Sequence, residues 1–241
     1  MRTNDGAVEI LMLSLSKHKD FEPWGDCTRA RPPAKTYPSP RASPILAPVS
    51  LPALLAEIAA CRVCAGALPH EPRPVVRVSS QTRLLICGQA PGRLVHESGL
   101  PFNDPSGNRL RAWMGVDRET FYGPAIGVAA MAFCFPGTNP KGGDYPPPPR
   151  CAALWRPNLM ASLPKLDLTL LVGSYAQRWH LGDRAQGSMT DTVAAWRDYL
   201  PHYLPMPHPS WRNTGWLKRN PWFEDDVTPY LRARVAAMLT E

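Results

Sequence analysis

The sequence predicts an α/β fold: a three-layer, doubly wound sheet of about four parallel strands flanked by helices. Three observations predict it. Short apolar runs without polar alternation recur four times, as strands buried on both faces require. Segments with helical spacing separate them, so strand and helix alternate along the chain. A glycine-rich or polar stretch follows each apolar run, which is where open α/β sheets bind their ligands.

The first 49 residues stand apart. Pro23, Pro32, Pro33, Pro38, Pro40, Pro44 and Pro48 punctuate them and no periodicity survives, so residues 1–49 read as a disordered Pro-rich arm. They carry 7 Lys and Arg against 5 Asp and Glu, too even a balance for a nucleic-acid-binding arm, and also suit a start assigned too far upstream. The expected domain is 50–241. Ser50 can cap a helix running to Cys61. Residues 83–87 (RLLIC) end at Gly88 and suit a buried strand. Residues 106–114 and 117–122 read as helices, 126–133 as a second strand, 150–162 as a helix and 166–172 (LDLTLLV) as a third strand. Helices are expected over 174–181 and 190–200, a short fourth strand over 203–207, and a closing helix over 224–239. Val227, Leu231, Val235 and Met238 give that last helix its apolar face.

Composition narrows the class. The 241 residues are 44% hydrophobic and 20% charged, ample for a globular core. The 29 prolines are more than twice the usual share of about 5%. A net charge of +7 permits an anionic partner without identifying one. Six cysteines in a chain this long exclude a disulfide scaffold. No apolar run reaches the roughly 18 residues of a membrane span, and Asp5 and Glu9 flank the short apolar stretch near the N-terminus. A cytoplasmic protein, monomeric and free of membrane, is the expectation.

After the first strand comes Gly88-Gln89-Ala90-Pro91-Gly92. Cys134-Phe-Pro-Gly follows the second strand, Gly173-Ser-Tyr-Ala the third, and His208-Pro-Ser-Trp-Arg-Asn the fourth. Cys61, Cys64, Cys134 and Cys151 are spaced C-x2-C-x69-C-x16-C. Four thiolates suit either zinc or an iron–sulfur cluster, and spacing alone does not choose between them. Cys87 lies inside an apolar strand and reads as a small core residue, and Cys27 falls in the arm.

GQAPG after a first strand, PFNDPSG (residues 101–107) shortly beyond it and HPS after a last strand form a specific combination. With it the body of the chain, from about Ser50 to Glu241, resembles the uracil-DNA glycosylase superfamily, in particular its iron–sulfur families 4 and 5. The resemblance implies a [4Fe–4S] cluster on Cys61, Cys64, Cys134 and Cys151, with a structural role. It implies that Gly88, Gln89, Ala90, Pro91 and Gly92 form the turn beside a flipped base and its water, and that Phe102 stacks on that base. His208 would stabilise charge on the leaving base. Ser210, Trp211, Arg212 and Asn213, with Lys218 and Arg219, would meet DNA through phosphate contacts and an aromatic wedge, with Trp216 and Trp222 interleaved.

The chain departs from the family patterns at three points. Family 4 has a glutamate at the place of Gln89, and the best-known family has its water-activating aspartate at the place of Ala90. Family 4 reads uracil with an asparagine four residues before the third cluster cysteine, where this chain has Ala130. Loss of that amide removes two directed hydrogen bonds and predicts weaker or broader base specificity. Family 5 uses an aspartate just after the stacking phenylalanine, and Asp104 lies one position from that place. Asp104 is therefore the favoured carboxylate for orienting water, with helix capping as its alternative role.

The expected function is a DNA repair glycosylase, monofunctional and hydrolytic, acting on uracil or other deaminated bases in single- or double-stranded DNA. A damaged-DNA or abasic-site binding protein of the same fold is the alternative. A redox or metal-sensing iron–sulfur protein is the least supported.

Overall fold

Leu84–Cys87 (β1), Ile126–Val128 (β2), Leu168–Val172 (β3) and Tyr203–Met206 (β4) pair as one parallel sheet in the computed structural model, which describes residues 50–240. The strand order is β2-β1-β3-β4. Leu84 faces Ile126 on one side and Leu168 on the other, and Thr169 faces Tyr203. The Pro-rich arm and Cys27 lie outside the described residues.

Every residue of β1, β2 and β3 is buried, so their side chains supply core on both faces. Leu84 and Ile86 join one cluster with Leu170, Val172, Leu204 and Met206. Helices Pro105–Met114 (α3) and Thr228–Thr240 (α9) cover that face through Leu110, Trp113, Leu231, Val235 and Met238. Leu85 and Cys87 point the other way, into a cluster with Leu54 and Ile58 of Leu51–Ala59 (α1), Ala152 and Leu159 of Pro149–Ala161 (α5), and Ala176 and Leu181 of Ser174–Leu181 (α6). The three layers expected from the sequence are present.

Several boundaries differ from the expected ones, each for a local reason. β2 ends at Val128 rather than Phe133. Residues 129–133 stay buried, but their partners are now the end of β1 and the turn after it: Ala129 N–H donates to Ile86 O, Met131 N–H to Gly88 O and Ala132 N–H to Gln89 O. The expected helix over 190–200 splits into Met189–Ala194, capped by Ser188 through Asp191 N–H, and a 3₁₀ turn at Trp196–Tyr199. The closing helix begins with a wide π turn at Phe223–Val227, because Pro229 has no N–H to continue the regular ladder. Two six-residue helices, Arg93–Ser98 (α2) and Thr214–Arg219 (α8), are too short to show periodicity in sequence. Among the described residues no helix is long and apolar enough to cross a membrane.

Candidate active site

The chain leaves β1 toward β2 and leaves β3 toward β4, so the connections diverge at the carboxyl ends of β1 and β3. A cleft of about 650 Å3 opens at that end of the sheet. It is lined by Gly88, Gln89, Ala90, Pro91 and Gly92 of the first turn, by Phe102 and Asp104, by Ala130, and by His208, Ser210, Trp211, Arg212 and Asn213. Residues far apart in sequence thus meet in one place. Lys218 and Arg219 do not line it; they lie exposed on α8, beyond the rim.

Phe102 is held in an unusual way. Its φ of +54° makes it the one non-glycine residue with positive φ among the described residues. Such backbone is strained for a bulky side chain, so its surroundings must fix it. Gly107 allows the necessary approach: a Cβ there would overlap the Phe102 carbonyl oxygen. Arg111 Nη1 donates to the same oxygen at 3.3 Å, and Phe121 meets the Phe102 ring edge-on at 6.2 Å. The ring lies against Gly88, where an added Cβ would sit 3.8 Å from Cζ. Asp104 caps α3, its Oδ1 accepting the Gly107 N–H at 2.9 Å. The alternative capping role for Asp104 is therefore realised, while the residue still lines the cleft.

His208 follows β4 and is half-buried. Ser210 N–H donates to its Nδ1 at 3.2 Å, so in the neutral ring Nε2 carries the proton and is a donor. Burial pushes its pKa down, opposed by the negative charge of Asp104. A neutral imidazole donor is the result. Asn213 Nδ2 donates to His208 O at 2.7 Å and Arg109 Nη1 to Ser210 O at 3.0 Å, which fixes the loop. Gln89 Nε2 donates to Tyr145 O at 2.9 Å and so ties the first turn to the loop between the last two cysteines.

Trp211 is 73% exposed at the rim, with the Arg212 guanidinium 5.0 Å from its ring centroid. Trp216 and Trp222 take another role from the one expected. They pack against each other at 5.8 Å and against the core, and Trp216 Nε1 donates to Thr190 Oγ1 at 2.8 Å. Glu97, the other carboxylate close in sequence to the first turn, does not line the cleft; it pairs with Arg93 at 2.7 Å along α2.

The structure adds cleft residues that the sequence reading missed. Arg109, one of them, lies a turn and a half beyond Asp104 on α3. Asp144 lies at the end of a tight hairpin bridged Thr138 to Asp144, with its Oδ2 3.6 Å from where a Gly92 Cβ would be. Burial pushes its carboxyl pKa up, against the pull of Arg212. The Gly142-Gly143-Asp144 turn was its only signal in sequence.

Cys61, Cys64, Cys134 and Cys151 line a second, apolar recess with Leu68, Pro72, Phe133 and Trp155. Burial, and then the neighbouring Cys151, push the Cys134 thiol up to about 12. Phe133 N–H donates to Cys151 Sγ at 3.4 Å. Cys87 stands apart, buried in β1. Among the described residues no three His, Cys, Asp or Glu side chains are grouped as ligands of a single metal ion.

The family model described as "Uracil DNA glycosylase superfamily" matches residues 76–232, well over half of the chain. Among solved structures, the chain is similar to the solution NMR structure of a candidate uracil DNA glycosylase from Methanosarcina acetivorans. The two are 16% identical, with 65% of this chain and 92% of that one covered and a TM-score of 0.42.

Proposed function

Because the chain belongs to the uracil DNA glycosylase superfamily, we propose that it is a monofunctional DNA repair glycosylase. It takes uracil or another deaminated base out of the DNA stack and hydrolyses the N-glycosidic bond. The observation that carries this reading is the neutral His208, with Nδ1 occupied and Nε2–H available, in one cleft with Phe102 and the Gly88–Gly92 turn.

The chemistry follows from those groups. Phe102 stacks on the extruded base. As the bond between C1′ and the base nitrogen breaks, its electron pair moves onto the base, and negative charge gathers on the base carbonyls. The His208 Nε2–H, set before the reaction, meets that charge where water would have to reorganise. The sugar becomes cationic, and the Asp104 carboxylate on the same cleft favours it and orients the attacking water. Water oxygen bonds to C1′, and its proton passes to the carboxylate or to solvent. Trp211 and Arg212 at the rim suit a wedge and a phosphate contact, with Lys218 and Arg219 farther along the same loop and helix.

The four cysteines fit a [4Fe–4S] cluster better than a single ion. A cluster binds each thiolate at a separate iron, so it needs sulfurs spread around a recess, whereas one ion needs them around a point. Cys61, Cys64, Cys134 and Cys151 would hold it, and it would supply a structural tie between the segment after α1, the loop after β2 and α5. This is the iron–sulfur type, resembling families 4 and 5. The activity is assigned to residues 50–241, as a cytoplasmic monomer.

The test is direct. Purified protein is incubated with single- and double-stranded oligonucleotides carrying uracil or hypoxanthine, then treated with alkali. Strand cleavage at the modified base supports the reading, and its absence on every substrate removes it. One observation favours a second reading, a damaged-DNA or abasic-site binding protein: the Gln89 amide and the Asp104 carboxylate both hold backbone groups. Tight binding to abasic DNA without cleavage would select it.

A further inference from the structure

A guanidinium without a carboxylate partner lies in the core beside the cleft. Arg156, on α5, has 0% exposure, and no carboxylate pairs with it among the described residues. Burying a charge this way is costly unless it is hydrogen-bonded, and here the two Nη atoms find partners while Nε has none. Nη1 donates to Cys87 Sγ at 3.1 Å, Nη2 donates to Ala129 O at 2.8 Å and also to Ala130 O, and the Trp179 ring centroid is 5.7 Å away. Two consecutive carbonyls of the cleft wall are thereby turned toward α5.

Peptide planarity sets what this does. In a trans peptide the C=O of Ala129 and the N–H of Ala130 point in opposite directions. Arg156 approaches from the face of the sheet that holds Cys87 and α5, whereas Phe102 packs against the core on the opposite face. The Ala130 N–H is therefore turned away from Arg156 and, unlike the amides on either side of it, away from β1. The neighbouring amides of Ala129, Met131 and Ala132 all donate to the backbone around β1, but among the described residues the Ala130 N–H has no acceptor. Ala130 lines the cleft.

We infer that the Ala130 backbone N–H, aimed by the buried Arg156, is the donor that reads a carbonyl oxygen on the bound base. The inference rests on the glycosylase reading and names its substrate class. Deamination replaces an exocyclic amino group with an oxo group, a donor with an acceptor. A fixed N–H donor matches the oxo base and faces N–H against N–H when the base carries an amino group. A single backbone donor sees only the oxo group that deamination creates, at C4 of uracil or C6 of hypoxanthine, so these two are set against cytosine and adenine, while thymine and guanine carry the same acceptor and are not rejected by it. Arg156 is a positioning residue in this scheme; it acts through the peptide it holds.

The test uses the full chain and oligonucleotides that cannot be cleaved, carrying 2′-fluoroarabino uracil, the matching cytosine or a tetrahydrofuran abasic site. The variants are Arg156→Met and Ala130→Pro, the second keeping Arg156 and removing the donor. Wild type should prefer the uracil ligand over cytosine by about tenfold or more, as one directed hydrogen bond against an unpaired donor allows. Both variants should bring that ratio toward one with abasic-site affinity unchanged. A preference that survives in both variants, an abasic affinity that falls in step with it, or a wild type without preference would overturn the inference. The excision assay is read separately: a wild type that discriminates through Ala130 but never cleaves overturns the glycosylase reading alone.

Discussion

At the scale of single residues, His208 and His180 show how burial sets two different properties. His208 keeps Nε2–H as a donor because Ser210 N–H occupies Nδ1 and burial disfavours the imidazolium. Its hydrogen bond gains strength only as charge develops on the base, so His208→Ala should lower turnover by about 10²–10³ with little change in DNA affinity. Single-turnover excision beside equilibrium binding measures both. A parallel loss of binding would assign His208 to holding the loop instead. His180 lies outside the cleft lining, with Nε2 buried and unpartnered, and burial followed by the charge of Arg156 pushes its pKa to about 3. In the unfolded chain it titrates near 6.5. Between those values the unfolded state binds a proton that the folded state refuses, so stability present above pH 6.5 is lost as pH falls toward 3. His180→Gln should flatten that loss, measured as the urea midpoint across the upper part of the window. An unchanged slope would leave the buried-histidine account without support.

At the scale of elements, the cleft depends on segments whose form is set by contacts distant in sequence. The Phe102–Gly107 turn is an example. PFNDPSG was legible as a motif and its aspartate as a cap, but the positive φ of Phe102 was not, because Gly107, Arg111 and Phe121 impose it together. Gly107→Ala should destabilise the chain by about 1–3 kcal/mol, as overpacking against fixed backbone does. Urea unfolding measures it, and a neutral result would mean that the turn can open. The four strands and the helices α3, α5, α6 and α9 were legible because each is an apolar run or stripe between turn signals. β2 read too long because residues 129–133 are as apolar as a strand, and only the end of β1 decides where its pairing stops. Asp144 and Arg156 were not legible, since nothing near them in sequence reveals a cleft wall or a buried carbonyl pair. The cysteine recess joins the segment after α1, the loop after β2 and α5, and spacing did single out its four thiols. Visible cluster absorption should survive Cys87→Ala and vanish in Cys134→Ala. Loss in the first, or survival in the second, would reject that ligand set.

At the scale of the whole molecule, the net charge of +7 favours any polyanion, and its placement decides how DNA would lie. Arg212 is at the rim of the cleft, beside the exposed Trp211. Lys218 and Arg219 follow one turn of 3₁₀ helix and most of α8 later, and neither lines the cleft. A duplex that delivers one base into the cleft must pass its phosphates near Arg212, but it reaches α8 only if it continues along the Trp211–Arg219 direction. Each phosphate neutralised releases counterions, and the logarithm of the binding constant then falls with the logarithm of salt at about −0.9 per contact on duplex DNA. Arg212→Ala should therefore flatten the slope by nearly one contact. Lys218→Ala with Arg219→Ala should flatten it by less than the two contacts their charges could supply, because they stand away from the rim. Titrations of an abasic-site duplex at several salt concentrations give all three slopes. A full two-contact change in the double variant would extend the DNA track over α8. No change on loss of Arg212 would move the phosphate path to another cation of the same cleft, Arg109.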